Sequence, residues 1–264
     1  MTEPTILFEI NQQTGVAVLT LNRPKRLNAF NKEMIHAWLQ ALHQVETDPA
    51  IRALVVTGAG NAFCSGGDAD ELESFLVMGS LERKNYLWQM VHKVALLLER
   101  IDCPVIAAIN GTARGAGLDM ALMCDLRVMD ATAVVAQSYI DMGLMPGDGG
   151  AWFMPRLVGP AVALEMMWTG APVDAETALR VGMVNRISAQ GQSCADAVVL
   201  AEKIAGQPSE AIRFTKRSVY QSLEGTSLRA HLDAASSHMA VLQELPAFKQ
   251  KIQAFKQRMR IKKK

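Results

Sequence analysis

No stretch of this sequence reaches the roughly 18 uninterrupted apolar residues that a membrane-spanning helix requires. Nor does its opening, "MTEPTILFEI", set a basic segment before a long apolar one. A cytoplasmic protein with no membrane partner is expected. Cysteine is scarce: Cys64, Cys103, Cys124 and Cys194 stand at irregular spacings without a C-x-x-C, which suits reduced, buried thiols better than disulfides or zinc. The 5 histidines form no metal motif, and the pair seven apart, His231 and His238, lacks a third ligand, so no metal is expected. Excess charge of one sign is missing too. Lys+Arg 27 against Asp+Glu 26 leaves +1, so no basic field points to nucleic acid, and a small-molecule ligand is expected. A Walker lysine, a G-x-S-x-G elbow and a G-x-G-x-x-G after the first strand are all absent, Met120 standing where the last glycine of that fingerprint would follow Gly115 and Gly117. Internal repeats and low-complexity segments are not visible.

What is present is an ordinary globular composition, 264 residues with 50% hydrophobic and 20% charged, enough to bury a sizeable core. "ILFEI", "VAVLTLN", "ALVVTG", "VIAAIN", "DLRVM" and "MVNRI" read as strands, with apolar residues at helical spacing over 31–46 and 81–100 between them. Alternating strands and helices predict an α/β domain over 1–194. From 195 to 264 strand signals stop, and a helical region follows with helices over 195–205, 209–223 and 227–242 and another opened by Pro246. Met166, Met167 and Trp168 sit on a helical pattern and are expected in the core. The ending "RMRIKKK" is a solvated tail or a contact for a phosphate-bearing ligand.

Two glycine turns carry the chemical signal. In "NGTARGAGLDMALMCD" a buried strand passes through glycines into an apolar helix starting near Gly115 or Ala116. In "GAGNAFCSGGDADEL" the strand 53–58 leads through Gly66 and Gly67 into a segment starting at Asp68. Each delivers free backbone N–H groups at a helix start. Two such turns can converge on one oxygen and stabilise negative charge developing there; the plain alternative is that the glycines serve only the turns.

Together these turns resemble those of the crotonase, or enoyl-CoA hydratase/isomerase, superfamily. "VAVLTLNRPKRLNAFNKEM" resembles its amino-terminal signature, "FCSGGDADEL" and "NGTARGAGLDMALMCDLRV" its two oxyanion turns, and "MGLMPGDGGAWFMPRLVG" the loop and helix that follow, in register over nearly the whole chain. The resemblance implies a spiral of repeated ββα units with a helical carboxyl-terminal region for oligomerisation and for covering the active site, assembled as a homotrimer or homohexamer. It implies an acyl-CoA thioester as substrate, coenzyme A entering as part of that substrate and no other cofactor, and a thioester enolate held by the N–H groups of Gly67 and Ala116. Lys25 and Arg26 fall where the superfamily lines its CoA groove, with Ala62, Cys64 and Ser65 beside the adenine and pantetheine; a solvated loop is the alternative for the two cations.

The superfamily's hydratases carry two glutamates, and their positions are occupied here by Asp119 and Tyr139. Adding water across a conjugated thioester needs one group to activate water and one to deliver a proton. Asp119 is shorter than glutamate by a methylene. Tyr139, with an ordinary phenol pKa near 10, is a proton donor, an orienting group or an aromatic wall of the acyl pocket. Asp141 and Asp148 are further carboxylates on the same segment. Asp148 falls one residue beyond the position where some isomerases place their acid, and otherwise reads as a turn or cap aspartate. Enoyl-CoA hydration, double-bond isomerisation, another crotonase-type reaction such as hydrolysis or decarboxylation, and acyl-CoA binding without catalysis all remain open on these residues.

Overall fold

The computed structural model describes residues 3–261, so Lys262 to Lys264 of the basic ending lie outside the described residues. Three successive passes of the chain follow one plan. Ala53–Gly58 turns into Ala62–Cys64 and then the helix Ala69–Ser74; Val105–Ile109 turns into Thr112–Arg114 and then the helix Ala116–Leu122; Leu126–Asp130 turns into Val134–Ala136 and then the 3-10 turn Ser138–Met142. The longer strand of each pass joins a 6-stranded sheet and the shorter one a 4-stranded sheet. The result is the expected spiral of ββα units. The repeat is one of backbone, not of side chains, which is why the sequence does not display it.

In the larger sheet Ile6–Asn11 pairs antiparallel with Val16–Leu21, and the remaining strands run parallel. Parallel strands covered on both faces become continuous apolar runs whose alternate residues enter different layers. Ala53–Gly58 shows this: Leu54 and Val56 enter the main core with Trp38, Phe63 and Ile109, while Ala53 and Val55 face a second layer with Ile106, Val128 and Leu200. Leu200 belongs to the helix Ser193–Ala205, which covers that second face. The first compact unit therefore runs to Ala205, beyond the expected boundary at 194.

The short strands Ala62–Cys64, Thr112–Arg114 and Val134–Ala136 escape the sequence reading because three residues give no periodicity and glycines adjoin them. The strand expected at "MVNRI" is Arg186–Ser188 instead, with Met183 and Val184 buried ahead of it. The helix expected over 81–100 is interrupted: Ser80–Tyr86 and His92–Arg100 flank a π-helical turn, Leu87–Val91. Trp168 corrects the expectation that its stretch is core. Met166 and Met167 are buried on the helix Pro160–Thr169, but Trp168 is 69% exposed on its outer side.

The second unit, 206–264, contains the helices Ser209–Leu223, Leu228–Glu244 and Pro246–Ile261. Phe214 stacks on His238 with ring centroids 4.5 Å apart, while Leu228, Leu232 and Met239 remain exposed.

The glycine at the second turn is required by proximity rather than by helix formation. A Cβ on Gly117 would stand 2.1 Å from the carbonyl oxygen of Cys64 and 2.9 Å from its Cβ, so the helix start lies directly against the short strand of the preceding pass. In an open helix Gly→Ala gains about 1 kcal/mol. Here the added methyl meets backbone, and Gly117→Ala is expected to lower stability by about 1–3 kcal/mol in urea denaturation, the usual cost of overpacking. Equal or higher stability of the variant contradicts this packing.

Candidate active site

The loop carrying "NRPKRLNAF" is fixed before anything can bind on it. Leu27 and Asn28 adopt positive φ (48° and 56°), and the fully buried Asn28 side chain donates to Ala59 O at 2.9 Å and Ala62 O at 2.7 Å while accepting from Arg23 N at 2.9 Å. Arg23 in turn reaches Asp68 at 2.7 Å. Burial alone would raise the Asp68 carboxyl, but hydrogen bonds and the Arg23 charge outweigh it and hold the group below its ordinary range. Asp68 also caps the helix Ala69–Ser74 by accepting from Asp70 N at 3.0 Å.

This loop pairs with the first glycine turn through an isolated parallel bridge between Phe30 and Gly67. Its bonds run from Phe30 N to Gly66 O and from Asp68 N to Phe30 O, which bypasses the Gly67 N–H. The two glycine turns adjoin: a Cβ on Gly66 would lie 3.2 Å from Arg114 O and 3.7 Å from Ala116 N. Ala116 is the first residue of the helix Ala116–Leu122, where N–H groups have no partner within the helix. Two amides left free by different mechanisms thus stand on neighbouring turns.

One turn of helix further on, Asp119 is fully buried. Its Oδ1 accepts from Gln137 Nε2 at 2.7 Å and its Oδ2 lies 2.9 Å from the Tyr139 hydroxyl. Gly150 closes the remaining side; a Cβ there would be 2.2 Å from Asp119 Oδ1, so any larger residue would displace the carboxyl. Burial pushes Asp119 up to about 6, against the opposing hydrogen bonds from Gln137, Gly150 and Tyr139. The Tyr139 ring lies beside Gly115, within 3.7 Å of where a Cβ would sit, and its hydroxyl also reaches Asp148 Oδ2 at 2.8 Å. Burial, then the two neighbouring carboxyls, raise the phenol well above its ordinary value. Tyr139 is therefore a hydrogen-bond donor and not a base at neutral pH.

Asp148 is buried as well and caps no helix, since Gly149 takes the cap position of Gly150–Val158. Asp141 is exposed, beside Gly170. Two residues of the cluster, Gln137 and His92, were not singled out from the sequence. His92 Nε2 lies 3.3 Å from Asp148 Oδ1. The available signal was weak: His92 directly follows the π-helical turn, a distortion frequent at functional sites but invisible to periodicity.

The expected CoA contacts are placed less tightly. Lys25 and Arg26 sit exposed on the 3-10 turn Pro24–Arg26, with Arg26 paired to exposed Asp70 at 3.0 Å. Ala62 and Cys64 are buried, the Cys64 thiol donating to Asn28 O at 3.2 Å and pushed by burial up to about 12. The Cys64 thiol is thus closed to solvent, whereas Ser65 is partly exposed.

Residues 11–262 match the enoyl-CoA hydratase/isomerase family. The chain belongs to that family. A Mycobacterium bovis protein named probable enoyl-CoA hydratase is 36% identical over 83% of this chain and 78% of its own length. The crotonyl-CoA hydratase of Syntrophomonas wolfei is 32% identical over 81% and 82%. The crystal structure of an enoyl-CoA hydratase from Mycobacterium smegmatis superposes with a TM-score of 0.89 at 32% identity, covering 97% of each chain. Membership in the enoyl-CoA hydratase/isomerase family fits the adjoining glycine turns, beside which Tyr139 brings Asp119 and Asp148 together.

The raised pKa of Asp119 makes stability depend on pH in a definite sense. A carboxyl with a folded value of about 6 against 3.8 favours folding fully below 3.8, and that contribution is lost as pH rises through 6. At about 1.4 kcal/mol per unit the loss is of order 3 kcal/mol. Asn at 119 can accept from Gln137 and donate to the Tyr139 oxygen, as the protonated acid does, without titrating. Urea denaturation between pH 4 and 7.5 is therefore expected to show a smaller fall in stability for Asp119→Asn than for the wild-type chain. Parallel pH curves contradict the buried-acid description.

Proposed function

We propose that this chain is an acyl-CoA enzyme of the hydratase/isomerase type, working through a thioester enolate whose oxygen is held by the N–H groups of Gly67 and Ala116. Preorganised amides aimed at a developing oxyanion stabilise the transition state more than the ground state, because charge on the oxygen grows as water adds at the β-carbon or as the carbon chain loses a proton. The remaining requirement is a proton at that carbon. The single observation that carries the reading is the contact of the Tyr139 hydroxyl with both Asp119 and Asp148.

A phenol has one hydrogen. If it donates to one carboxylate, the other carboxyl must carry a proton and donate to the phenol oxygen. Burial, which raises Asp119 to about 6, makes it the holder of that proton up to about pH 6. In our reading Asp119 stores the proton and Tyr139, whose ring flanks the oxyanion helix, presents it. As the phenol hydrogen moves to the α-carbon, the Asp119 hydrogen moves onto the phenol oxygen, so no phenolate forms. Asp148 is the carboxylate that takes a proton from water during hydration, or from the γ-carbon during a double-bond shift. Asp119 and Tyr139 thereby fill the two positions that hydratases of the superfamily give to glutamates.

Lys25 and Arg26 are proposed to meet the phosphates of coenzyme A, with the backbone of Ala62, Cys64 and Ser65 along its pantetheine and adenine. Such contacts are screened by salt. Calorimetry should find acetyl-CoA binding weakened by added salt and stronger than that of a pantetheine thioester lacking the phosphates. Equal affinities remove the CoA assignment.

The central test is product analysis by mass spectrometry on straight-chain, branched and aromatic enoyl-CoAs. Asp119→Asn should keep the fold and CoA-ester binding and lose about a hundredfold or more in turnover, the scale for a positioned proton-transfer group. Tyr139→Phe should lose a comparable factor, since it cuts the store from the substrate. Asp119→Asn turning over near the wild-type rate defeats the reading, and binding without turnover on the whole panel makes the chain an acyl-CoA binder instead.

A further inference from the structure

Between the two carboxyls that flank Tyr139, the shared proton has two possible homes, and the hydrogen bonds around Tyr139 alone do not choose between them. The choice depends on what stands at the outer end of the chain. There Asp148 Oδ1 and His92 Nε2 lie 3.3 Å apart. Both atoms are buried from solvent and neither makes a conventional hydrogen bond among the described residues, so each is left with the other's charge as its compensation. The His92 side chain as a whole keeps 26% of its surface exposed, whereas Asp119 keeps none. The cluster therefore runs from a solvent-touching imidazole through Asp148 and Tyr139 to a fully buried acid.

We infer that His92 is a positioning residue: as an imidazolium against Asp148 it keeps that carboxyl ionised and so confines the shared proton to Asp119, at the far side of Tyr139. This rests on the reading of Asp119 as the proton store. The residue acts through Asp148 and touches no reacting atom. Its setting favours the charged form. The Asp148 contact raises the imidazole above its ordinary value against an opposing burial effect, with a further contribution from Gly147 in the same loop. The other groups facing the pair are few. The Trp88 ring meets His92 edge-on at 6.1 Å. The Tyr86 phenol, raised chiefly by burial and also by Glu71 and Asp148, donates to Glu71 at 3.3 Å and stays neutral. Lys32 stands over the Tyr86 ring at 5.3 Å. Of these groups, His92 is the one whose charge is both adjacent to Asp148 and switchable near neutral pH.

The sign follows directly. While His92 is protonated, a proton on Asp148 would leave the imidazolium without its counter-charge and Asp119 ionised in a fully buried site. When His92 is neutral the counter-charge cost disappears while the burial cost on Asp119 remains, so the proton is held less exclusively by Asp119.

The experiment combines carbon-13 carboxyl NMR of aspartate-labelled full-length protein with pH profiles of kcat/KM, for wild type, His92→Gln and His92→Lys. In His92→Gln the carboxyl spectra should show the shared proton moving from Asp119 toward Asp148, and the profile limb set by the acid should shift by at least about half a unit. In His92→Lys, which supplies a fixed charge, the wild-type order of the two carboxyls should return. Unchanged titrations and an unchanged profile in His92→Gln overturn the inference. So does a uniform loss of activity with no change in profile, which marks a structural role. Should His92→Gln not fold, the wild-type protein decides: the Asp148 carboxyl signal must step as the His92 nitrogen-15 signal titrates, and independent titrations overturn the inference. The NMR readout needs no turnover, so it separates failure here from failure of the proposed reaction, which Asp119→Asn tests.

Discussion

A phenol that touches two carboxyl groups imposes a proton count on everything around it. With both Asp119 and Asp148 ionised, the Tyr139 oxygen would face one carboxylate without a hydrogen between them, in a place where water does not screen the repulsion. One extra proton removes the conflict and turns three side chains into a continuous donor–acceptor chain. The surrounding structure is arranged to keep that proton and to keep it in place. Burial under the helix Ala116–Leu122 favours the protonated acid, while Gln137 and Gly150 oppose that effect and fix the carboxyl in place. The protein thus holds its acid up to about pH 6, well above the range in which an aspartate in water ionises.

The scaffold explains why such a cluster can be rigid beside a site that must admit a ligand. Each pass of the spiral sends a strand through the buried sheet and then a short strand through the second sheet, so the turns after Cys64, Arg114 and Ala136 emerge side by side. Gly66 and Gly67 come from the first of these passes, Ala116 and Asp119 from the second, and Gln137 and Tyr139 from the third. The second sheet therefore does for backbone amides and side chains what a single long loop could not: it fixes parts from distant stretches of sequence against each other. Arg23 and Asn28 complete this by tying the amino-terminal loop to the first turn through Asp68, Ala59 and Ala62.

The parts legible in the sequence are those that a local pattern can carry. Long apolar strands, the helices of the carboxyl-terminal region and the two glycine-rich helix starts all follow from residue type and spacing, and the resemblance over four segments placed Asp119 and Tyr139. Strands of three residues have no period to read, and Trp168 falls on the solvent side of a helix whose neighbours Met166 and Met167 are buried, a matter of one residue's rotation. The electrostatic cluster was only half visible. Asp148 looked like a turn residue because its partners, Tyr139 and His92, stand on other elements. Gln137 and His92 gave no signal of their own. A buried hydrogen-bond network is defined by distances between elements, and a sequence lists its members without those distances.

On the proposed reading, an aspartate where hydratases of the superfamily carry a longer acid acquires a physical meaning from these distances. Both Asp119 oxygens are engaged, and the side chain has no surface of its own. A carboxyl one methylene shorter is drawn back into the protein, and what remains between it and the oxyanion turns is the ring of Tyr139 beside Gly115. On that reading the phenol supplies the missing reach: burial sets the acidity at Asp119, while Tyr139 sets the direction in which the proton leaves. Acidity and direction can then be adjusted separately, the first by what packs on Asp119 and the second by what charge stands behind Asp148.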